Sequence, residues 1–404
     1  MPMNNAAQAA ITAVQGSRNA FCKFISANDA GKTGGHQEGF YMPKSTLPLM
    51  FDTPGVRGSN KDRFVEINWY DYQTTQSRFI YYGTGTRNEY RLTRFGKGFP
   101  YLTEDNVGDL FVLAHMEGDQ YAGFVLRSDD DIEDFFAAFN LSSDKTNTLI
   151  EKAATVTAED ALLQCFYGYV KSFSVLFPPP VDFNAPVKFP ETKELASHAR
   201  QCFVSAYRKT AKDIQQAPDA ELLNWLNTEF ELFKVFENDR YGQLIKTPFQ
   251  SVEELVKTAN SILNRRKSRA GKSLEHHLAE VFRVFNLTFD EQAVTEDNKT
   301  PDFIFPGAKA YHNTAFDTGK LIVLASKTTC KDRWRQVINE ADRVPEKHLF
   351  TLQQGISANQ LTEMYKYGVR LVVPRTYVDT FPKQFRPQLF TLETFVQLVK
   401  EKQS

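Results

Sequence analysis

Two different hydrophobic patterns divide the chain. Between residues 60 and 130, short aromatic and β-branched runs alternate with Gly, Asn and Asp. These runs are RFVEINWYDY, RFIYYGTG, EYRLTRFG, DLFVLAHM and QYAGFVLR. Runs of this length, separated by turn residues, are typical of antiparallel strands in a barrel or sandwich. The first half is therefore predicted to be mainly β.

A proline-rich stretch, LFPPPVDFNAPVKFP, precedes the second pattern. Its prolines favour extended backbone and cannot continue a helix. Beyond it, AELLNWLNTEFELFKVFE and SVEELVKTANSILNRR have helical periodicity, whereas HLFTL and VRLVVP have the pattern of buried strands. We predict a β domain over residues 1–175, a linker over 176–190, and an α/β domain over 191–404 whose central mixed sheet is flanked by helices.

Composition adds few constraints. The 404 residues suit two domains, and the formal net charge of −1 argues against a histone-like positive coat but not against local basic patches. The first residues, MPMNNAAQAAITAVQG, contain no basic segment followed by a long apolar core, so no secretion signal is expected, and no run reaches the roughly 20 apolar residues of a membrane span. We expect a cytoplasmic protein with no membrane partner. The cysteines are scattered without CxxC spacing, which predicts neither a disulfide framework nor a zinc knuckle: Cys22, Cys165, Cys202 and Cys330.

One carboxylate and one lysine stand at the ends of apolar runs in the second half. Asp302 follows Pro301 and opens DFIF, and Lys327 ends LIVLASK. Adjacent strands would bring both side chains to one end of a sheet. A carboxylate there can hold Mg²⁺, and a lysine can hold the attacking water or a phosphate oxygen. The alternative is a structural ion pair at a strand end.

The flanking segments add further charged candidates. KDRWRQVINEADR is predicted to be a helix whose apolar stripe faces inward, with Glu340 on another face. Upstream, Glu275 is expected in the first turn of an amphipathic helix that buries Leu274, Leu278 and Phe282. Five basic residues lie just before that helix: Arg265, Arg266, Lys267, Arg269 and Lys272.

Together these motifs resemble the core of the PD-(D/E)xK nuclease family, in which acidic residues bind Mg²⁺ and the lysine assists water attack on a phosphodiester. The position two before Lys327, normally acidic in that family, is Ala325. One restriction-enzyme branch carries this carboxylate on the following helix and keeps a serine near the lysine. Ser326 and Glu340 match that branch.

The resemblance extends from GFYMPK through RAGKSLEHH to LASKTTCKDRWRQVINE and points to type IIE restriction endonucleases. It implies a Mg²⁺-dependent homodimer that cuts double-stranded DNA at CCWGG before the first C and binds more than one site. Asp302 and Glu340 would be metal ligands, Lys327 would position the water, and Glu275 is an outer-shell candidate. Tyr311, between the two strands, is a candidate contact to the scissile phosphate. Four residues occupy the place where related enzymes read C·G pairs: Lys331, Asp332, Arg333 and Arg335.

In the first half, two segments are candidate DNA-binding arms. The glycine-rich AGKTGGHQEGFYMPKS lacks the first glycine of a phosphate-binding loop, and it presents His36, Tyr41 and Lys44 instead. TRNEYRLTRFGKG offers alternating charge suited to a row of phosphates: Arg87, Asn88, Arg91, Arg94 and Lys97. This half resembles the B3-type DNA-binding pseudobarrel, which implies an effector domain that binds a further copy of the site and relieves autoinhibition.

Two other functions remain open from the sequence. A non-catalytic, sequence-specific DNA-binding regulator with a degenerate nuclease fold would explain Ala325. A repair or recombination nuclease without sequence specificity would cut unrelated duplexes equally. Loss of cleavage with retained binding in Glu340→Gln separates the nuclease from the regulator, and competition by DNA without the site tests for the unspecific nuclease.

Overall fold

An eight-stranded sheet forms the core of the first half. The computed structural model of the chain describes residues 6–31, 39–152, 156–183 and 185–404. The strands of this sheet are β1 (Asn19–Phe24), β2 (Phe40–Met42), β3 (Lys61–Trp69), β4 (Thr75–Tyr82), β5 (Glu89–Thr93), β6 (Leu110–His115), β7 (Gln120–Leu126) and β8 (Thr148–Leu149). Their order is β2-β5-β4-β3-β7-β6-β1-β8, and of the neighbouring pairs only β3 and β7 are parallel. The mainly-β prediction is confirmed, with a parallel pair that the pattern did not predict.

Alternating residues of this sheet serve two hydrophobic cores. On one face, Phe111 of β6 stacks on Phe40 of β2 with ring centroids 3.9 Å apart, within an aromatic cluster. On the other face, Leu110 and Val112 pack beneath helices α1 (Ala6–Gly16) and α3 (Asp129–Phe139). A single turn, α2 (Leu47–Met50), lies between β2 and β3. The period-two alternation of the strands therefore leaves α3 on the outside of the sheet, where it can contact the second half.

The second half has a five-stranded mixed sheet flanked by helices, as predicted. Its strands are β9 (Asp290–Glu291), β10 (Phe303–Phe305), β11 (Ile322–Lys327), β12 (Lys347–Thr351) and β13 (Val369–Val372). The order is β13-β12-β11-β10-β9, with β11, β12 and β13 parallel and with β10 antiparallel to both neighbours. The helices are α4 (Asp160–Leu176), α5 (Thr192–Tyr207), α6 (Ala211–Gln216), α7 (Pro218–Tyr241), α8 (Val252–Val284), α9 (Ala308–His312), α10 (Trp334–Ile338), α11 (Ala358–Lys366) and α12 (Leu392–Gln403).

Helix α8 corrects one prediction. The basic cluster was expected before a helix that starts near Glu275, but α8 begins after Ser251 and runs without interruption through the cluster. Ser251 caps it, since its hydroxyl accepts a hydrogen bond from Glu254 N at 3.1 Å. Arg, Lys and Ala favour helical backbone, and this propensity joins two periodic segments that look separate. Glu275 therefore lies in the body of the helix, not in its first turn.

Helix α10 is shorter than predicted and ends at Ile338. Trp334, Val337 and Ala341 are buried as the stripe requires. However, Ala341 has a left-handed backbone (φ 52°), so the chain leaves the helix before it. Glu340 consequently lies in the turn after α10, not on the helix.

The cysteine prediction was wrong for one pair. Cys165 of α4 and Cys202 of α5 form a disulfide, whereas Cys22 and Cys330 are free and buried. Two helices that pack side by side bring these residues together across 37 positions, which spacing alone cannot reveal. Helix α4 shares its hydrophobic cluster with α5 and α7, although the predicted boundary at residue 175 assigns it to the first domain.

None of the helices in the described part of the chain combines the length and the apolar character that a membrane crossing needs.

Candidate active site and nucleic-acid interface

The predicted pairing of the two site strands places Asp302 beside the end of β11. Phe303 pairs with Leu324 in the antiparallel register of β10 and β11, so the start of one strand meets the end of the other. Asp302 Oδ2 accepts hydrogen bonds from Ser326 N (2.7 Å) and Ser326 Oγ (3.0 Å). Asp302 is only 9% exposed. Ser326 therefore fixes Oδ2 of this carboxylate, while Oδ1 accepts a hydrogen bond from Gln292 Nε2 at 2.7 Å.

Two more carboxylates lie near Asp302. Burial raises the pKa of Glu340 to about 7, and the negative charge of Asp302 adds to the rise. Burial also raises the pKa of Glu275; Lys272 opposes that rise and Asp302 adds to it. Among the described residues, Glu340 Oε2 is buried without a hydrogen-bond partner. Asp302 thus lies close enough to two other carboxylates to oppose their ionisation, and a cation bound between them would relieve that repulsion.

Lys327 ends β11 and is half-buried. The alternative of a structural ion pair with Asp302 is not what the structure has: within residues 6–31, 39–152, 156–183 and 185–404, Lys327 forms no ion pair. Its charge nevertheless lies close enough to lower the pKa values of Glu275 and Glu340. The ammonium group is thus near the carboxylates and available to a phosphate or a water molecule.

The protein side chains supply only part of the ligand set that Mg²⁺ needs. Across the part of the chain that the structure describes, no group of three or more His, Cys, Asp or Glu side chains is placed to hold a metal ion. Mg²⁺ usually takes one or two carboxylates and fills its remaining positions with water and substrate phosphate oxygens. Asp302 Oδ1 and the unpartnered Glu340 Oε2 fit that demand.

Tyr311 does not lie where a contact to the scissile phosphate was predicted. Its side chain is 1% exposed in the small cluster behind β10 and β11. Its hydroxyl donates a hydrogen bond to Glu296 and accepts one from Arg343 N at 3.3 Å. Burial and the Glu296 carboxylate raise the pKa of Tyr311. We assign this residue a structural role, because its side chain is buried and its hydroxyl is already hydrogen-bonded within the protein.

The basic cluster of α8 is engaged within the protein. Arg269 is 7% exposed, which removes it from any DNA in this conformation. This corrects the expectation of a free basic patch, and the reason is that each of the five side chains has a partner within the protein, an acidic residue in every case except Arg265. The pairs are Arg265 with Tyr241 (2.6 Å), Arg266 with Glu237 (2.7 Å), Lys267 with Asp134, Arg269 with Glu229 (3.6 Å) and Lys272 with Glu275 (2.7 Å).

The segment predicted to read base pairs is held by the first half of the chain. Asp129, at the start of α3, accepts hydrogen bonds from the backbone N–H groups of Lys331 (3.1 Å), Asp332 (2.7 Å) and Arg333 (3.1 Å). The Lys331 ammonium forms a buried ion pair with Asp109, just before β6. Base edges cannot reach these groups while Asp129 and Asp109 accept from their donors.

The side chain of Arg333 is also held by acidic residues of the first half. Its guanidinium donates to Asp130 (2.7 Å) and to Glu133 (3.0 Å), both on α3. Arg335, by contrast, pairs with Glu363 of the second half at 2.9 Å and is half exposed. Asp109, Asp129, Asp130 and Glu133 were not singled out from the sequence. The acidic run SDDDIEDFF was visible, but its partner 200 residues away was not.

The predicted effector arm lines a basic cleft of about 880 Å³ on the first half. Arg87, Arg94 and Lys97 are exposed in or around it, as a DNA contact requires. Arg91 lines the same cleft but is 3% exposed and donates to Gly39 O at 3.2 Å, so it supports the arm instead of projecting from it. Arg78 of β4 completes the lining and was missed, because its strand was interpreted only for its apolar residues.

The other arm candidates are placed differently. Tyr41 is fixed by its backbone N–H, which donates to the buried Asp29 carboxylate at 2.8 Å. Lys44 is exposed at a turn, and Asn88 accepts a hydrogen bond from Tyr81 Oη at 2.9 Å. His36 lies outside the described residues. The structure thus assembles only part of the predicted first arm.

Comparison with known proteins decides the family. The family description "EcoRII C terminal" matches residues 233–396, and "Restriction endonuclease EcoRII, N-terminal" matches residues 14–145. The type II restriction enzyme EcoRII of Escherichia coli is 38% identical over 390 residues, which is 93% of this chain and 92% of that protein. The chain belongs to the EcoRII family of type II restriction enzymes. It is therefore a site-specific deoxyribonuclease, as the sequence motifs predicted.

Two further similarities are partial. The type II restriction enzyme SsoII of Shigella sonnei is 26% identical over 146 residues, which is 34% of this chain and 47% of that enzyme. A structure titled metal-depleted Ecl18kI in complex with uncleaved, modified DNA aligns with a TM-score of 0.45 at 19% identity, over 59% of this chain and 83% of that one.

Proposed function

We propose that this EcoRII-family enzyme is a type IIE restriction endonuclease of the cytoplasm. It would act as a Mg²⁺-dependent homodimer that cuts both strands of CCWGG before the first C. A palindromic site mirrors a two-fold axis, which supports the dimer. The observation that carries the chemistry is the Ser326-fixed Asp302 carboxylate beside the unpartnered buried oxygen of Glu340.

Each side chain of the proposed active site would have a separate role in cleavage. Asp302 and Glu340 would hold Mg²⁺, which when bound neutralises phosphate charge and makes water a better nucleophile. Ser326 fixes the angle of Asp302 through its backbone N–H and its hydroxyl. Lys327, which has no ion pair among the described residues, would orient the attacking water and stabilise charge on the phosphate. Glu275 supports the site from α8.

Autoinhibition is the finer part of this proposal. Asp129, Asp130 and Glu133 on α3 occupy the donors of the reading segment that DNA would need. In the proposed cycle, effector DNA bound by the first half favours an open state in which α3 leaves Arg333. The first half would act as a B3-like pseudobarrel over residues 1–175, joined by residues 176–190 to a catalytic domain over 191–404.

The test is cleavage of a plasmid that carries several CCWGG sites. We expect discrete fragments with Mg²⁺ and none with EDTA. Glu340→Gln should lose cleavage while it still binds the same DNA specifically, because the amide cannot replace the carboxylate charge. Gel analysis and a binding assay with a duplex that lacks the site measure both properties.

Three outcomes would contradict the proposal. Tight specific binding without any cleavage by the intact chain would favour the non-catalytic regulator. Equal cutting of DNA without the site would favour an unspecific nuclease. Cleavage that persists in EDTA would remove the metal from the chemistry.

The effector cleft gives a separate prediction. Arg94→Ala with Lys97→Ala should weaken binding of a CCWGG duplex by the first half and should flatten its salt dependence, by about 0.9 in log–log slope for each phosphate that the protein no longer neutralises. Filter binding across a salt series measures this slope. Lys61→Ala is a matched control, because Lys61 is bonded to Thr53 O at 2.8 Å, outside the cleft. An unchanged slope in the double variant would place effector DNA elsewhere.

A further inference from the structure

Gln292 contacts the acidic site, although neither the family resemblance nor any sequence motif predicted that it would. It follows β9 and adopts a left-handed backbone (φ 52°), which non-glycine residues seldom adopt. Its backbone N–H donates to Asp302 O at 3.1 Å. Its side chain projects into the acidic site, although nothing in the sequence pattern singled it out.

The side-chain amide of Gln292 bridges two carboxylates. Its Nε2 donates to Asp302 Oδ1 at 2.7 Å and to Glu275 Oε2 at 3.3 Å. The nitrogen must face the carboxylates, since ionised carboxylates only accept hydrogen bonds. Asp302 Oδ1 is the oxygen that Ser326 leaves free, so the amide occupies the same side of Asp302 on which a metal ion would bind.

The distances match those between neighbouring ligands on one ion. Oxygens at adjacent positions of an octahedral Mg²⁺ shell with 2.0–2.1 Å bonds lie about 2.9 Å apart. The observed 2.7 Å and 3.3 Å fall on either side of that value. An oxygen in the position of the amide nitrogen would therefore lie at a ligand-to-ligand spacing from both Asp302 Oδ1 and Glu275 Oε2.

A half-turn of the amide about its last side-chain bond exchanges Nε2 and Oε1. After that turn an oxygen lies where the nitrogen was, and no other part of the chain has to move. Rotation about this terminal bond is soft, and the side chain is exposed on its other sides. The same residue can thus hold the carboxylates together without a metal and offer an oxygen ligand with one.

We propose that Gln292 is a further residue of the metal site, which donates to Asp302 and Glu275 in the metal-free enzyme and turns its Oε1 toward the ion on binding. This inference rests on the proposed Mg²⁺-dependent function and deepens it. Glu275 then acts next to the metal with Gln292, beyond its supporting role on α8. The neutral amide adds a ligand without adding a fourth negative charge to the cluster.

The test measures metal binding directly, using Mn²⁺ as the probe. Mn²⁺ is titrated into the full chain, and free Mn²⁺ is followed by electron paramagnetic resonance. We expect Gln292→Ala to raise the dissociation constant by about tenfold, at the lower end of losses seen when support of a metal site is removed. Gln292→Glu should bind at least as tightly as wild type, because a carboxylate can ligate although it cannot donate.

Two controls frame this result. Gln76→Ala removes another amide that donates to a carboxylate, Glu66 at 2.9 Å, in the first half, and it should leave Mn²⁺ binding unchanged. Asp302→Asn should abolish binding. If Asp302→Asn binds Mn²⁺ like wild type, the proposed metal site itself fails and not the role of Gln292 alone.

If Asp302→Asn loses Mn²⁺ binding as expected, unchanged or tighter Mn²⁺ binding by Gln292→Ala would overturn the inference. The amide would then only compete with the ion for Asp302 and Glu275. Weak binding by Gln292→Glu would also overturn it, since the donor function alone would matter. Circular dichroism checks folding. If Gln292→Ala does not fold, Gln292→Met keeps the side-chain length without the amide, and its dissociation constant decides in the same way.

Discussion

Lys327→Ala is expected to reduce the rate of DNA cleavage at least about 100-fold, the usual loss when one group that stabilises transition-state charge is removed. The ammonium group lies near Glu275 and Glu340 without an ion pair among the described residues, so it has no structural partner to lose. Stability should therefore change little. Single-turnover cleavage with saturating enzyme and Mg²⁺ measures the effect on the chemical step.

Lys320→Ala is the matched control for this variant. Lys320 is exposed just before β11, at the other end of the same strand. The Lys320→Ala enzyme should therefore cleave DNA at the wild-type rate. A Lys327→Ala enzyme that retains normal single-turnover rates would move the catalytic lysine elsewhere. A variant that loses specific DNA binding together with cleavage would instead assign Lys327 to recognition.

Asp129→Ala is expected to activate the enzyme on DNA that carries a single site, without added effector duplex. Asp129 accepts hydrogen bonds from three backbone N–H groups of residues 331–333, and bonds to a charged group contribute roughly 1.5–3 kcal/mol each. Even one such loss shifts the balance between closed and open states by about tenfold or more, since 1.4 kcal/mol is a factor of ten. The cleavage rate of single-site DNA should rise accordingly.

Asp131→Ala tests whether removal of any charge from α3 has this effect. Asp131 lies in the same turn as Asp129, but its carboxylate accepts from Ser128 Oγ at 2.8 Å, within its own helix. Cleavage of single-site DNA by the Asp131→Ala enzyme should still depend on added effector duplex. If Asp129→Ala remains as dependent as wild type, the contact between α3 and the reading segment is not what restrains the enzyme.

Much of the fold could be predicted from local pattern. The strands around Trp69, Phe79 and Phe111 follow from period-two alternation, and the mixed sheet follows from buried runs such as the one that ends at Lys327. Errors arose where one residue decides an element. The left-handed Ala341 ends α10 early, and the basic cluster, which contains no proline, continues as part of α8.

Part of the active site could likewise be predicted from local sequence pattern. Asp302, Ser326 and Lys327 belong to short motifs on two adjacent strands, so a family resemblance could name them. Gln292 belongs to no motif, and it reaches Asp302 only because β9 pairs with β10. Tyr311 was misjudged because its position between the site strands says nothing about which way the ring points.

Local sequence pattern was enough to predict the two-part architecture, the nuclease motif and a basic arm in the first half, because each depends on residues close together along the chain. Which of those charges are available to a ligand depends on how the chain packs in three dimensions. Asp129 reaches Asp332 across 203 positions, and Cys165 reaches Cys202 across 37. Charge is a property of the residue, but its partner is set by packing. The acidic start of α3 therefore turns a predicted DNA-reading segment into an internal contact, which no pattern along the chain could have revealed.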